Sequence, residues 1–559
     1  MFWGLIALVC LSPLPLASNR PLPWSLLALG VGVLLVAWAF YRLFEPRTVA
    51  LAGQRQPSPY DAGERPLNKY SAAFCLGFVL LLGWYGLQTS PLTARWAHPA
   101  WAEAAAALSE PLVGAISIEP VAGLTLLMKI LSYGGIFIMA LYFGRDRHRA
   151  RTIFLAVALS SAVYSAYGLF AHFSGTRLVL WFPKTEYIGS VTSTFINRNS
   201  FATFAGIGII AALGPILHEF RRLIDGRASL LRALVDVSEE GSGVLYLLMV
   251  SVVLDLAALI LTGSRGGFAS LAFGLVVFLT LMLALRDVGV RHFIGLLVFT
   301  TAIVFGFMAV GGGFLANRLG SDVRESHDGR IDLFDVERLA MAERPLVGQG
   351  LGSFPAAFNR ANDGSAVYDT AWVDLAHNSY LELAIEGGIV GLVGSLMLLG
   401  LMVGLLLQGI FTRARGTSFA IAGLSICALV GAHAMVDFSF QMPAVAATFM
   451  LLIGAAVGQS LPAAVSVSRR ERLREERAQI DDERRRQDRG KRRRGSEPTQ
   501  RESFAVAEPH RMTNVIDDLR RIAADLEALE AARPPAPKSA RPKAKIYELP
   551  RPRGNHEPT

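Results

Sequence analysis

Residues 244–285 read VLYLLMVSVVLDLAALILTGSRGGFASLAFGLVVFLTLMLAL, two apolar runs joined by a short turn of small residues. The first run contains a single acidic residue, Asp255, and the second run, from residue 268 onward, has no charged side chain. A helix of about 20 apolar residues crosses the hydrocarbon core of a membrane. The stretch therefore predicts two transmembrane helices that meet in a tight turn.

The composition of the whole chain agrees with this interpretation. Of its 559 residues, 52% are hydrophobic and 18% are charged, whereas soluble domains carry about 25% charged residues. Twelve apolar runs are present, near 2–18, 24–41, 71–88, 121–143, 152–172, 201–217, 244–262, 268–285, 293–310, 388–411, 417–436 and 443–460. The sequence thus predicts an all-α polytopic membrane protein with about 12 transmembrane helices, and it excludes an ordinary soluble enzyme.

The distribution of Lys and Arg predicts the orientation of the chain in the membrane. Loops 42–70, 145–151, 218–243, 286–292 and 413–415 contain 17 of these residues, whereas the alternate short loops contain six. Positively charged loops are enriched on the cytoplasmic side. We therefore expect both termini in the cytoplasm and the long segment 311–387 outside it.

The C-terminal region, 461–559, has a different composition and is predicted to be a basic cytoplasmic tail. Residues 469–559 carry 24 Lys and Arg against 17 Asp and Glu. A short heptad pattern within 513–532 predicts a coiled-coil-like helix, and self-association through it is a hypothesis. The end of the chain is rich in Pro and is typical of disorder. Basic residues beside a membrane favour contact with lipids, and no nucleic-acid-binding motif is present.

The turn between the two opening runs is the first candidate site. Ser264 and Arg265 lie in the segment Thr262–Gly267, where small residues leave backbone N–H groups open beside a guanidinium. Such a combination suits an anion such as a diphosphate. A snorkelling arginine at a tight hairpin is an equally good interpretation.

A second candidate site precedes the run at 201–217. Asn197, Arg198 and Asn199 stand within the sequence STFINRNS. Their amides could bind sugar hydroxyls, but capping of the following helix by Asn199 or Ser200 is the more common role of such residues.

Two motifs stand in the long segment 311–387. Residues from Arg330 onward predict an amphipathic helix at the membrane interface, with an apolar face at 331, 334, 339 and 341. The glycine-rich stretch 345–354 lacks the strand–helix context of a dinucleotide-binding loop, and it predicts a tight turn instead.

A third candidate site begins the tenth run. His377 and Asn378 are followed by Tyr380, Glu382 and Glu386. Histidine can take a proton from a hydroxyl near neutral pH, although a lone histidine is more often an ordinary residue at a helix start. A further pair, His433 and Asp437, is spaced i,i+4 and could be structural or functional.

Several mechanisms lack their motifs in this sequence. There is no Walker loop, no His-Glu-x-x-His helix and no Gly-x-Ser-x-Gly elbow. The three cysteines all lie in apolar runs, which leaves no thiolate metal site. Polar residues at mid-span are His172 and Asp255, fewer than a transporter is expected to have. A transporter or a glycan-binding scaffold nevertheless remains the alternative to an enzyme.

These segments, in this order, resemble the O-antigen ligase and polymerase superfamily of bacterial membrane proteins. The similar pieces are Thr194-Phe195 with Asn197 and Asn199, the turn Leu261–Gly266, Gly329-Arg330, the stretch 345–354, His377–Leu381 and Glu386–Gly388. The resemblance covers about 190–460, so that 1–190 form additional N-terminal transmembrane helices and 191–460 an O-antigen ligase-like domain. Arg198 departs from the family pattern, in which this position is often Pro.

The resemblance implies a glycosyltransferase of the bacterial inner membrane that needs no metal ion or other cofactor. Its donor would be a glycan on undecaprenyl diphosphate, and its acceptor would be lipid A–core, another glycan chain or a protein hydroxyl. Arg265 and Arg330 would bind the diphosphate, and His377 would orient or deprotonate the acceptor hydroxyl. Ser264, Asn197, Arg198, Asn199, Asn378 and Tyr380 would contact the substrates.

Overall fold

A computed structural model describes residues 1–44, 69–224, 243–285, 333–362, 373–413 and 417–461, and these ranges are almost entirely helical. The helices are α1 (Phe2–Leu11), α2 (Pro21–Phe44), α3 (Lys69–Thr89), α4 (Pro99–Leu108), α5 (Pro120–Gly144), α6 (Arg147–Phe173), α7 (Arg198–Ile224), α8 (Gly243–Thr262), α9 (Arg265–Ala284), α10 (333–343), α11 (Phe354–Ala361), α12 (Ser379–Thr412), α13 (Ser418–His433) and α14 (Pro443–Ser460). Between α6 and α7, strands β1 (Leu178–Val179) and β2 (Phe182–Pro183) form a small antiparallel hairpin.

Nine helices in the described ranges are long and apolar enough to cross a membrane, namely α2, α3, α5, α6, α7, α8, α9, α12 and α14. Two shorter apolar helices, α1 and α13, correspond to two further predicted spans. The prediction of an all-α polytopic membrane protein is therefore confirmed. The predicted span at 293–310, the tail 462–559 and the coiled-coil-like helix within it lie outside the described residues.

The first predicted span, 2–18, is wrong as a continuous helix. α1 ends at Leu11, and a 3-10 turn at Leu16–Ser18 follows it. Pro13 and Pro15 stand between the two elements, and proline inside a helix removes a hydrogen bond and clashes with the preceding turn. At ten residues α1 is about 15 Å long, too short to cross the hydrocarbon core.

The most enclosed helix is α14, which is buried along nearly its whole length. It packs closely on α5 because small residues line the contact. A Cβ added to Gly144 would lie 2.5 Å from the Cα of Ala455, and one added to Gly454 would lie 2.6 Å from the carbonyl oxygen of Phe137. Small residues at such positions let two transmembrane helices approach each other closely.

Polar residues inside the bundle differ from those predicted. Asp255 is fully buried, and its Oδ1 accepts hydrogen bonds from Ser161 (3.0 Å) and Ser165 (2.6 Å). His172 lies in the last turn of α6 and is not a mid-span residue. Lys129, which was not predicted, lies on α5, and its ammonium is 5.2 Å from the centre of the Trp24 ring.

The face of α10 also differs from the predicted one. Phe334 and Leu339 are exposed, whereas Leu333, Val336 and Ala340 pack on α11 and the start of α12 in a small hydrophobic cluster. The prediction placed residues 331, 334, 339 and 341 on the apolar face, but the buried face consists of residues 333, 336, 337 and 340, with Met341 partly buried beside it. Arg330, Ile331 and Asp332 lie outside the described residues.

Glu337 is an unusual member of the buried face of α10. Its side chain is inaccessible to solvent, and neither carboxylate oxygen has a hydrogen-bond partner among the described residues. Burial raises its pKa to about 7, because an ionised carboxylate is costly to remove from water.

The stretch 345–353 forms the tight turn that the sequence predicted. Gly348 and Gly388 both have a positive φ and pack backbone against backbone. A Cβ on Gly388 would lie 2.3 Å from the Leu346 carbonyl oxygen, and one on Gly348 would lie 2.3 Å from the Glu386 carbonyl oxygen. Only glycine adopts such a conformation and such a contact without strain. The turn therefore packs tightly against α12 where that helix is kinked at Gly388.

Gln88 fastens this turn to the end of α3. Its Nε2 donates to the carbonyl oxygens of Val347 (2.7 Å) and Glu386 (3.1 Å), and its Oε1 accepts from the N–H of Leu351 (3.2 Å). We call this end of the bundle, where α3 ends and α12 begins, the loop end.

An ion-pair network connects three helices at the loop end. Arg360 on α11 binds Glu103 on α4 through two hydrogen bonds of 2.7 Å each, and it also contacts Glu343 on α10 at 3.2 Å. A bidentate arginine–carboxylate pair is stronger and more directional than a single contact. The network therefore fixes α4, α10 and α11 relative to one another.

Candidate functional site

The turn between α8 and α9 exposes an arginine at a helix start. Ser264 is the N-cap of α9, and its hydroxyl accepts a hydrogen bond from the N–H of Gly267 (3.1 Å). Arg265 is the first residue of α9, and its side chain is exposed. A helix N-terminus carries a partial positive charge. Ser264 thus has a structural role, while Arg265 is free to reach an anion in front of the helix.

The start of α7 is capped by a different residue from those predicted. Oδ1 of Asn197 accepts hydrogen bonds from the N–H groups of Asn199 (2.7 Å) and Ser200 (3.2 Å), so the cap is Asn197 and not Asn199 or Ser200. The prediction missed this because the helix begins at Arg198, two to three residues earlier than the apolar pattern indicated. The amide nitrogen of Asn197 donates to the hydroxyl of Tyr187 (3.3 Å).

Arg198 brings a second guanidinium to the same place. Its Cζ lies 5.3 Å from the centre of the Tyr187 ring, a cation–π contact. Its Nη1 would be 3.9 Å from a Cβ added to Gly263, in the turn that precedes Arg265. The N-terminal ends of α7 and α9, each with an arginine as its first residue, therefore lie side by side.

His433 and Asp437 connect these helix starts to the segment after α13. His433 Nδ1 is hydrogen-bonded to the hydroxyl of Thr203, and the amide of Asn199 donates to Oδ2 of Asp437. A Cβ on Gly266 would lie 3.1 Å from Nε2 of His433. Both side chains of the pair are buried, and their contacts indicate that they position α7 and α9. We call Arg198, Asn199, Arg265, His433 and Asp437 the arginine cluster.

His377 lies beside the segment that follows α13. Its ring centre is 5.2 Å from that of Phe438, and its side chain is half-buried. Ser379, two residues later, donates from its N–H to the Ala434 carbonyl (2.8 Å) and from its hydroxyl to the Asp437 carbonyl (3.1 Å). These bonds hold residues 377–379, which we call the histidine segment, against residues 434–438. Residues 434–438 adjoin the arginine cluster.

The other predicted residues of this segment have structural contacts. Asn378 is the N-cap of α12 and accepts from the N–H groups of Tyr380 (3.0 Å) and Leu381 (3.1 Å). The Tyr380 hydroxyl donates to the Gly431 carbonyl (2.9 Å). Glu382, which was noted but not predicted as a site residue, accepts from the N–H of Ala376 (2.8 Å) and so supports the residue before His377.

The structure thus brings most of the predicted residues to one end of the bundle. Asn197, Arg198, Asn199, Ser264, Arg265, His377, Asn378 and Tyr380 are all connected through the contacts just described. Arg330 lies outside the described residues. Sequence reasoning left His433 and Asp437 open, and their i,i+4 spacing at the end of an apolar run was the available signal.

A large cavity, lined in part by Ser379 and Tyr380, was not predicted. It has a volume of about 980 Å³ and is lined by residues of α3, α5, α12, α13 and α14. Ser379, Tyr380, Glu382 and Glu386 line it at the loop end, and Phe78, Leu398, Met402 and Phe449 line its apolar interior. No single apolar run reveals such a cavity, because five helices contribute to its wall.

The family described as O-antigen ligase matches residues 250–396 of the chain. The matched region includes Arg265, the turn 345–353 and His377. No curated protein matches the chain. The family supports a membrane glycosyltransferase-type function, with a lipid-linked glycan donor and a glycan acceptor. The match supports the resemblance to the O-antigen ligase superfamily over this part of the chain.

Proposed function

We propose that this protein transfers a glycan from undecaprenyl diphosphate to an acceptor hydroxyl at the outer face of the bacterial inner membrane. The observation that carries the proposal is the pairing of Arg198 and Arg265 at two adjacent helix starts, beside the segment that bears His377. Two guanidinium groups and two helix N-termini suit a diphosphate.

In this proposal the chemistry is a single displacement at the anomeric carbon of the donor glycan. His377 takes the proton of the acceptor hydroxyl as its oxygen attacks that carbon. The bond from the carbon to the diphosphate oxygen breaks, and its electron pair leaves with undecaprenyl diphosphate. Arg265, together with Arg330 by resemblance, neutralises the charge that develops on the leaving group. Such a leaving group requires neither a nucleotide nor a metal ion.

In this proposal the acceptor is lipid A–core, a second glycan chain or a protein hydroxyl. The orientation is part of the proposal, with the loop end outside the cytoplasm and both termini inside it.

Transfer by the purified protein tests this function. The protein receives an undecaprenyl-diphosphate oligosaccharide in EDTA, first alone and then with lipid A–core. Longer glycans on the carrier alone identify a polymerase, and product that requires lipid A–core identifies a ligase. Loss of transfer in EDTA contradicts metal independence. Binding of the lipid-linked glycan without transfer to any acceptor, protein hydroxyls included, favours the scaffold or transporter alternative.

A further inference from the structure

We propose that Glu382 is a positioning residue for transfer, because its carboxyl group holds the backbone beside His377 as a hydrogen-bond acceptor. The inference rests on the proposed function, since it concerns the residue that takes the proton of the acceptor hydroxyl in that reaction. It adds a second residue of α12 on which the reaction depends, and it assigns the effect of that residue to the geometry of its side chain and not to its charge.

The contact that carries the inference joins two buried groups on either side of His377 in the chain. Oε2 of Glu382 accepts a hydrogen bond of 2.8 Å from the N–H of Ala376, six residues earlier. Ala376 is fully buried and Glu382 is 5% exposed, so water does not compete for this N–H. A buried N–H that loses its acceptor is costly. The bond therefore fixes the backbone of the residue directly before His377.

This arrangement extends an ordinary helix cap. Asn378 is the N-cap of α12, and Glu382 lies in the first turn of that helix. In a capping box, a glutamate of the first turn reaches back to the N–H of the N-cap residue. Glu382 reaches two residues further, to Ala376. His377 thus stands outside the helix, between a residue that Glu382 fixes and the residue that caps α12.

Glu382 also connects His377 to the segment that adjoins the arginine cluster. The side chain of Gln441 forms a hydrogen bond with the Glu382 carboxyl group. Gln441 ends the 3-10 turn that follows Phe438, whose ring packs on that of His377. One carboxyl group therefore joins the residue before His377 to the end of this segment. Its loss should displace His377 relative to the arginine cluster, and small displacements of a reacting group lower the rate strongly.

Two substitutions separate the geometry of this side chain from its charge. Glu382→Gln keeps the length of the side chain and an oxygen that accepts from Ala376, but it removes the carboxyl group. Glu382→Asp keeps the carboxyl group on a side chain that is one methylene shorter and no longer reaches Ala376. We expect Glu382→Gln to retain kcat within about threefold and Glu382→Asp to lower it about 10–100-fold. The opposite order overturns the inference, because Glu382 would then act through its charge.

Transfer kinetics of the full-length protein, with donor and acceptor both varied, separate positioning from binding. Glu382→Asp should lower kcat and leave KM for the donor unchanged, because the arginines of the arginine cluster are intact. Asp374→Asn, which changes an exposed acidic residue two positions before Ala376, is the matched control and should behave as the wild type does. An unchanged kcat in folded Glu382→Asp overturns the inference.

A measurement on His377 itself tests the inference without transfer. Diethyl pyrocarbonate acylates imidazole, and mass spectrometry of peptides gives the rate at each histidine. We expect the rate at His377 to rise about threefold or more in Glu382→Asp and to stay unchanged in Glu382→Gln, because a released segment opens more often. His148, which is exposed at the start of α6, is the internal reference. Equal rates at His377 in the wild type and Glu382→Asp overturn the inference.

The test remains valid if Glu382→Asp does not fold. Glu382→Gln then decides it alone, since it changes neither the size nor the reach of the side chain. Wild-type kcat and a wild-type rate of acylation at His377 in this variant support a role through geometry. A large loss of kcat in folded Glu382→Gln overturns the inference.

Failure of this inference can be told apart from failure of the proposed function. Transfer by the wild-type protein, together with an unchanged kcat in Glu382→Asp, overturns the inference and leaves the glycosyltransferase. Absence of transfer by the wild-type protein with every acceptor overturns the proposed function. The rates of acylation at His377 then decide whether Glu382 fixes this residue.

Discussion

Two regions at the loop end differ in both charge and polarity. In one region, Arg198 and Arg265 stand at the starts of α7 and α9, in a surface connected by Asn199, His433 and Asp437. In the other, a cavity of about 980 Å³ has an apolar interior, and the exposed residues Glu119 and Asp374 belong to its lining. The first region suits an anionic group, and the second suits an apolar one.

This difference bears on where a lipid-linked donor would bind. A diphosphate is attracted to guanidinium groups and repelled by carboxylates. Under the proposed function, the donor diphosphate therefore binds at the arginine cluster, and His377 acts on the acceptor hydroxyl.

Removing the imidazole of His377 should have the largest effect on transfer. His377→Ala is expected to lower kcat by about 10²–10⁴-fold, the usual contribution of general acid–base catalysis, with little change in the binding of either lipid. The check is transfer kinetics together with lipid binding and elution from a sizing column. Full activity in a folded His377→Ala protein removes His377 from the mechanism.

Removing an arginine from the arginine cluster should weaken the use of the donor and leave acceptor binding unchanged. Arg265→Ala is expected to lower kcat/KM for the lipid diphosphate by about 10²–10³-fold, while Arg265→Lys retains part of the activity because it keeps the charge but not the planar fork. The resemblance gives Arg330→Ala the same expected loss. Donor titrations measure these effects, and an unaltered response to donor in Arg265→Ala would show that the diphosphate binds elsewhere.

A single added methyl group should disrupt the kink of α12 at Gly388. Gly388→Ala forces a positive φ on alanine and places its Cβ against the Leu346 carbonyl oxygen, at an expected cost of about 1–3 kcal/mol or more. Gly400→Ala, on the same helix with open space around it, is the matched control. Thermal unfolding in detergent compares the two variants, and equal melting temperatures would contradict the described contact.

The smallest expected effect concerns Glu337, which is buried on α10 and lies close enough to Glu382 to raise the pKa of that residue. Since its pKa in the folded protein is raised to about 7, its protonated form favours the folded state. That contribution is complete below the ordinary pKa near 4.5 and is lost as the pH rises through about 7. Glu337→Gln should therefore protect α10 at pH 8, by up to about 3 kcal/mol.

Hydrogen exchange of residues 333–343 at pH 5 and pH 8 measures this effect. Asp335→Asn, at an exposed position of the same helix, serves as the control and should leave the pH dependence in place. If the wild-type protein and Glu337→Gln exchange alike at pH 8, Glu337 is not the titrating group.

Hydrophobic runs were sufficient to predict most of the bundle, because each spanning helix is specified by its own stretch of sequence. The same reasoning failed at 2–18, where Pro13 and Pro15 outweigh the apolar composition, and on α10, whose buried face is set by its neighbours α11 and α12. Local chemistry is a good guide to helices and a poor one to which face of a short helix is buried.

Local sequence likewise indicated some features of the candidate site and not others. Arg265 and His377 were predicted from residue type and position at helix starts, and both adjoin residues 434–438. The cap at Asn197, the support of Glu382 for Ala376 and the cavity itself depend on contacts between distant parts of the chain. Such contacts leave no local pattern in the sequence, so neither they nor the cavity could be predicted.

The central claim, that the arginine cluster binds the donor diphosphate and His377 takes the proton of the acceptor, is tested most directly by transfer kinetics with both substrates varied. The account predicts that Arg265→Lys raises KM for the lipid-diphosphate donor and leaves KM for the acceptor unchanged. It predicts that His377→Ala lowers kcat and leaves KM for the donor unchanged. If Arg265→Lys leaves KM for the donor unchanged, or if no acceptor supports transfer by the wild-type protein, the account is contradicted.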